Sequence, residues 1–262
     1  MSILENQTPF SFDDKVLFFD IETTPTKGWA FRNYEANVFE IEEYFHIQSY
    51  SYKWGEKGKT KCVALPDFPL YKKEPHNDLE LVKSLFDLWS KADIIIGYNG
   101  DRFDIKKTRH RFLIHGLGNV YSFKTIDPLK IAKKLGFFSN SLNGVSDELG
   151  LGKKVEHEGN LWKKCYDAYL TNDKKSWKKM KEYNNQDIEL LYLVSRRLIP
   201  YMERYPRVKM DNGKCPVCGG TNFKRNGKKY YSNYEQQRYA CLKCGFGNIY
   251  GDKIKKEWDI KQ

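Results

Sequence analysis

Asp20 and Glu22 stand two residues apart at the end of an apolar run, KVLFFDIETTP, residues 15–25. Side chains alternate between the faces of a strand, so in a strand the two carboxylates share one face. Adjacent carboxylates repel one another, and a divalent cation that prefers hard oxygen ligands relieves the repulsion. The same pair also suits a solvent-exposed strand end. A third acid, Asp104, closes the stretch IIIGYNGDRFDIKK, residues 94–107, where an apolar strand stops at glycine and a helix begins. Ligands of α/β proteins collect at that edge of a sheet. A first-turn acid complementing the helix dipole reads equally well there, and Asp101 is the better placed of the two for such capping. A fourth, Asp187, lies in EYNNQDIELLYLV, residues 182–194. Tyr183 and Asp187 are spaced i,i+4 and share one helical face. An exposed acid beside a core tyrosine gives the same pattern.

Four cysteines form a separate constellation. CPVCGG at 215–220 and CLKCGFG at 241–247 place two Cys-x-x-Cys pairs 22 residues apart. Cys215, Cys218, Cys241 and Cys244 match a tetrahedral structural Zn²⁺ site of four thiolates, each pair followed by a glycine that lets the chain turn toward the metal. The segment between the pairs predicts a hairpin, and the whole reads as a zinc ribbon. It has few large aliphatic residues, so metal is expected to supply much of its folding energy. Cys62 and Cys165 stand alone and are expected to be free thiols.

These residues need elements to hold them. KVLFFDI predicts a strand buried on both faces. IQSYSYKW, an EKGK turn and TKCVAL predict a hairpin within residues 43–65. NDLELVKSLFDLWS predicts an amphipathic helix over 77–90 with Asn77 as its N-cap. ADIIIGYN predicts a second buried strand, followed by a helix from about Phe103 to His115 that ends at Gly116. TIDPLKIAKKL predicts a short strand running into a helix, with Asp127 as a turn or cap residue. SLNGVSDELG, a basic helical stretch, and a last helix over 176–202 complete the pattern. Strands first, then helices alternating with a further strand, describe a mixed-sheet α/β domain. Residues 206–214, PRVKMDNGK, are polar and aperiodic, and read as a linker.

The bulk numbers agree. The chain has 262 residues, 40% hydrophobic and 15% aromatic, enough for one core of about 150–200 residues plus a small module. No apolar run approaches the roughly 18 residues of a membrane span. The N-terminus lacks a basic flank and a long apolar stretch, so a cytoplasmic location is expected. The formal charge is +11. From Arg207 to Gln262 there are 13 basic and 5 acidic residues, a net of +8. Such a tail fits a polyanionic partner, nucleic acid first, though a basic solubility surface fits the same numbers. No glycine-rich phosphate loop is present, so nothing points to ATP. The five histidines read as structural or surface residues.

Taken together, FDIETT, YNGDRFD and YNNQD resemble the three motifs of the DEDD exonuclease superfamily, tyrosine subtype. The resemblance covers roughly residues 15–200, and each of the four acids is present. The second motif is similar to the editing domain of family B DNA polymerases, and TIDPLKIAKKLGFFSNSLNGVSDELGLGKK resembles YprB-type exonucleases. The resemblance implies an α/β, ribonuclease H-like mixed sheet flanked by helices over residues 1–205, ahead of a four-cysteine zinc ribbon over 206–262. It implies that Asp20, Glu22, Asp104 and Asp187 hold two Mg²⁺ or Mn²⁺ ions, about 3.5–4 Å apart in such sites. Tyr183 would orient the attacking water, since a phenol of pKa near 10 is a poor base at neutral pH. The implied reaction is 3′–5′ exonucleolytic hydrolysis releasing nucleoside 5′-monophosphates.

Asn99 and Phe103 fall at family positions near the bound 3′ end, and Thr23, just past Glu22, is placed to bond the terminal sugar. Thr23 is equally a simple strand end, and Phe103 equally an inward-facing core residue. Single-stranded DNA is the expected substrate. An RNA-processing exoribonuclease and a non-catalytic nucleic-acid binder or adaptor are the alternatives. In the ribbon, Lys224, Arg225, Lys228, Lys229 and Arg238 interleave with Tyr230, Tyr231, Tyr234 and Tyr239. Basic groups for phosphates and rings for bases suit a single strand. Docking to a replication or repair protein is the competing role.

Overall fold

The computed structural model describes residues 15–31, 38–120, 123–152, 159–202, 213–215, 219–230, 234–243, 245 and 249–255. Residues 206–212 of the expected linker, together with His157, Cys218, Tyr231 and Cys244, lie outside these residues.

The expected mixed sheet is present. β1 (Val16–Thr23) pairs antiparallel with β4 (Ile47–Trp54), and β4 pairs antiparallel with β5 (Lys61–Ala64). On its other edge β1 runs parallel to β6 (Ile94–Ile96), which runs parallel to β7 (Lys124–Ile126). The strand order is β5-β4-β1-β6-β7. The apolar half of β1 is continuous because both faces of the strand are covered. Val16 and Phe18 face one cluster with Ile94, Ile96 and Ile126, while Leu17, Phe19 and Ile21 face another with Leu81, Leu85 and Trp89.

The helices follow the expected pattern with local corrections. α1 (Leu79–Trp89) buries Leu81, Val82, Leu85 and Trp89; its N-cap is Asp78 and not Asn77, whose Oδ1 accepts from Leu79 N–H one residue outside the cap, 3.0 Å. α2 (Asp104–Ile114) ends before Gly116, whose φ of 65° is left-handed. Asp101 does not cap α2. Its carboxylate pairs instead with Lys130 in α3 (Pro128–Leu135), where Asp127 is the N-cap and accepts from Leu129 N–H. α4 (Leu142–Glu148) starts at Ser141, whose hydroxyl accepts from Gly144 N–H. α5 (Leu161–Thr171) lies in the basic stretch. α6 (Lys174–Leu198) begins two residues before Ser176, because Asp173 accepts from both Lys175 and Ser176 N–H and fixes the first turn.

Three strands have no counterpart in the sequence expectations. β2 (Lys27–Trp29) and β3 (Glu40–Glu43) form a two-stranded antiparallel hairpin between β1 and β4. Toward the C-terminus the expected hairpin is β8 (Phe223–Tyr230) and β9 (Tyr234–Cys241), and β10 (Ile249–Lys255) adds a third strand. Cys215, Cys241 and Ile249 are buried in one cluster with Leu198 and Ile199, so this small sheet roots on the end of α6. No helix among the described residues is long and apolar enough to cross a membrane. Cys62 and Cys165 form no disulfide, and burial pushes their thiols up to about 11 and about 12, which leaves them unreactive.

Candidate metal centre

Asp20 and Glu22 continue the face of β1 that carries Val16 and Phe18, since strand side chains on one face recur every second residue. That face is apolar where α6 covers it and acidic at the end of the strand. Directly opposite, Ser51 pairs with Asp20 and Ser49 with Glu22 across the β1–β4 ladder. The two small serines let α6 approach the sheet. Asn184 Nδ2 donates to Ser49 Oγ at 3.4 Å, and Ser51 Oγ donates to Asn185 Oδ1 at 3.2 Å. Those bonds set the rotation of α6, and with Ile188 and Leu191 seated in the core they aim Asp187 at the strand end.

The result is a cluster of three carboxylates. One oxygen from each of Asp20, Glu22 and Asp187 lies within 4.8 Å of the others, with Asp187 buried and the other two half-buried. Negative groups this close are costly without a counter-charge. Oxygen-only donors in a partly open cluster suit Mg²⁺ or Mn²⁺, which keep several waters, better than the softer metals.

Asp104 stands beside this cluster and is not one of the three. β6 stops at Ile96, opposite Phe18, and beyond that point the β1 edge is open on this side. Asp104 Oδ1 accepts from Ile21 N–H at 3.0 Å, the amide between the two β1 acids. Burial drives its carboxyl up to about 7, against the hydrogen bonds from Ile21 and from its own amide. A cation nearby would pull it back down. The close turn ahead of α2 needs glycine: a Cβ on Gly97 would sit 3.2 Å from Gly100 Cα and 3.3 Å from Phe19 O.

Tyr183 lies one helical turn before Asp187. Its ring meets Trp162 edge to face, at 5.8 Å and 78°. Burial, then the negative charges of Asp187, Glu22 and Asp20, hold its phenol far above the usual range. It stays a protonated donor at any physiological pH. Trp162, in the first turn of α5, donates from Nε1 to Glu22 Oε2 at 2.6 Å. It is a residue of this cluster that sequence reasoning misses, because its only sequence signal is an aromatic at the start of a basic helix.

The expected substrate residues are placed as follows. Phe103 is 40% exposed and is therefore no core residue, and Lys107 Nζ lies 5.8 Å from its ring centre. Asn99 takes a left-handed φ of 59°, and its N–H donates to Asp127 Oδ1 at 2.9 Å. Thr23 sits half-buried at a bulge in the β1–β4 ladder. Its neighbour Thr24 is the buried one, accepting from His46 N–H at 2.9 Å. Of the four ribbon cysteines, Cys215 and Cys241 are described and buried. The two turns match: Gly219 N–H donates to Cys215 O at 2.8 Å, Gly245 N–H to Cys241 O at 2.9 Å, and both glycines are left-handed.

Comparison with known proteins places this geometry. A family model described as the RNase H superfamily matches residues 17–199. No curated protein matches the chain. Among solved structures, the chain is similar to the family B DNA polymerase from the hyperthermophilic archaeon Pyrobaculum calidifontis, with 17% identity and a TM-score of 0.53. That likeness covers 74% of this chain but only 25% of the polymerase, and at this identity it is a likeness of fold.

Proposed function

The chain belongs to the RNase H superfamily, and on that premise we propose that it is a metal-dependent 3′–5′ exonuclease acting on single strands. The observation that carries this reading is the meeting of Asp20, Glu22 and Asp187 at the end of the central strand. A non-catalytic binder has no use for repelling carboxylates converged on one point. Asp20, Glu22 and Asp187 would hold two Mg²⁺ or Mn²⁺ ions, with Asp104 at the rim as the fourth acid. Bound there, such ions activate a water and neutralise charge on the scissile phosphate and the leaving 3′ oxygen.

The chain's own side chains do the rest. Trp162 fixes the carboxylate of Glu22 in place. Tyr183 keeps its proton and orients the water, without removing a proton from it. Asp104 holds the β1 backbone between the two acids. Phe103 offers a ring at the mouth for the terminal base, and Thr23 and Asn99 lie where they can contact the last nucleotides. The product is a nucleoside 5′-monophosphate. Likeness to a DNA polymerase favours DNA, and an RNA substrate is the second reading.

Residues 206–262 form the second unit in this proposal, a ribbon holding one Zn²⁺ through Cys215, Cys218, Cys241 and Cys244. The matched glycine turns after Cys215 and Cys241 support it. Its exposed Lys224, Arg225, Lys228 and Lys229 suit a phosphate backbone better than a protein surface. The test is degradation of single-stranded DNA, duplex DNA and RNA by the wild type and by Asp20→Ala. Loss of metal-dependent hydrolysis in the variant supports the assignment. Equal activity in both proteins, or none in either with Mg²⁺ or Mn²⁺, overturns it.

A further inference from the structure

The β2–β3 hairpin has no part in the reading above, yet it projects from the site. β1 ends at Thr23, opposite Ile47 at the start of β4, and the hairpin is the excursion between them, closed by the pair Lys27 and Glu43. Lys27 is five residues past Glu22, so the root lies within about 17 Å of the acidic cluster.

Two helices clamp that root. On one side, Glu43 accepts a hydrogen bond from Tyr166 and lies 3.7 Å from His76 Nδ1. Tyr166 is one turn along α5 from Trp162, which holds Glu22. One helical face therefore grips both the acidic cluster and the hairpin. On the other side, Phe45 packs under Lys107 Nζ at 3.4 Å and beside His110, both on α2 behind Asp104. The root therefore sits between the two helices that carry Trp162 and Asp104.

The hairpin's side chains are the wrong kind for solvent. Trp29 is 58% exposed, Phe31 88%, Phe39 57%, and Tyr44 at the root 69%. Phe31 and Phe39 stack face to face, with centroids 4.6 Å apart and planes at 18°. Large rings held outward, two of them as parallel plates, suit flat π-faced partners, and the root beneath them packs on α2 through Phe45. Arg102, Lys106 and Arg109 are exposed on and beside α2 and supply the positive charge that a phosphate backbone seeks.

We propose that Trp29, Phe31 and Phe39 form a base-stacking arm that holds the substrate strand upstream of the scissile bond. The proposal rests on the nuclease reading and adds the substrate class: a single strand several nucleotides long, recognised by its bases' faces and not by their sequence. It also explains why the root is tied to Glu22: the arm and the cluster must keep a fixed spacing along one strand.

The experiment compares the triple variant W29A/F31A/F39A with wild type on oligo(dT) and oligo(rU) of three and fifteen nucleotides. For the 15-mers KM should rise at least tenfold with kcat unchanged, while the trinucleotides, too short to reach the arm, are cleaved as by wild type. Trinucleotide cleavage also reports that the fold is intact. The conservative set W29F/F31Y/F39Y should restore the 15-mer KM. An unchanged 15-mer KM overturns the proposal and leaves the hairpin to a protein partner; equal losses on both lengths overturn it in favour of a structural role. If the wild type cleaves nothing, the nuclease reading fails. Binding of fluorescent 15-mers by anisotropy then decides the arm by itself: tenfold weaker binding by the triple variant supports it, equal binding sinks it.

Discussion

Trp162→Phe isolates a hydrogen bond by which α5 fixes a carboxylate of the acidic cluster. The indole Nε1 lies 2.6 Å from Glu22 Oε2, a short bond to an ionised acceptor. Phenylalanine keeps a ring to meet Tyr183, now 5.8 Å from Trp162, and deletes only the donor. Bonds to charged groups contribute about 1.5–3 kcal/mol. Outer partners of metal ligands typically change metal affinity 10–100-fold, the same range in energy. The Mg²⁺ concentration giving half-maximal hydrolysis should therefore rise 10- to 100-fold, with most of kcat regained at saturating metal. Calorimetric titration with Mn²⁺ should give the same shift without substrate. A midpoint within twofold of wild type, by both methods, would refute the role assigned to Trp162.

Tyr183→Phe should slow hydrolysis less than Asp187→Ala, because the phenol orients water whereas the carboxylate binds metal; equal losses in kcat would contradict that division. Burial, partly offset by Asp78, lowers the His46 imidazole from 6.5 to about 4. The folded state thus excludes a proton that the unfolded chain binds, so stability is full above pH 6.5 and falls by about 3 kcal/mol as pH drops to 4. His46→Gln should flatten that part of the urea-denaturation profile, and an unchanged slope would sink the explanation. Lys224→Ala with Arg225→Ala should raise KM and reduce the salt slope of strand binding by roughly 0.7 for each phosphate no longer neutralised; an unaltered slope would favour protein docking by the ribbon.

The central strand was legible because its chemistry is local: an apolar run buried on two faces, with acids at alternate positions where the covering stops. α6 was legible for the same reason, since Tyr183, Asp187 and Ile188 fix its faces by spacing alone. Contacts between distant segments were not. Trp162 reaches Glu22 across 140 residues and Asp104 reaches Ile21 across 83, and no local pattern encodes either bond. Asp101 reads as a cap because capping is local, but Lys130 offers it a charged partner from another helix. The β2–β3 hairpin escaped because its strands have three and four residues and almost no buried side of their own. The alternation at Phe39–Glu42 spans four residues, too few to read as a strand without a core face to fill. Phe103 could be read inward or outward until the exposure of its ring decided the matter.

The most direct measurement follows one single strand labelled at its 5′ end and another labelled at its 3′ end, with Mg²⁺, against wild type and Asp187→Ala. The account predicts immediate release of a labelled mononucleotide from the 3′ end, a ladder shortening by single steps from the 5′-labelled strand, and neither with the variant. Internal cuts, release from the 5′ end, or undiminished activity in Asp187→Ala would contradict it.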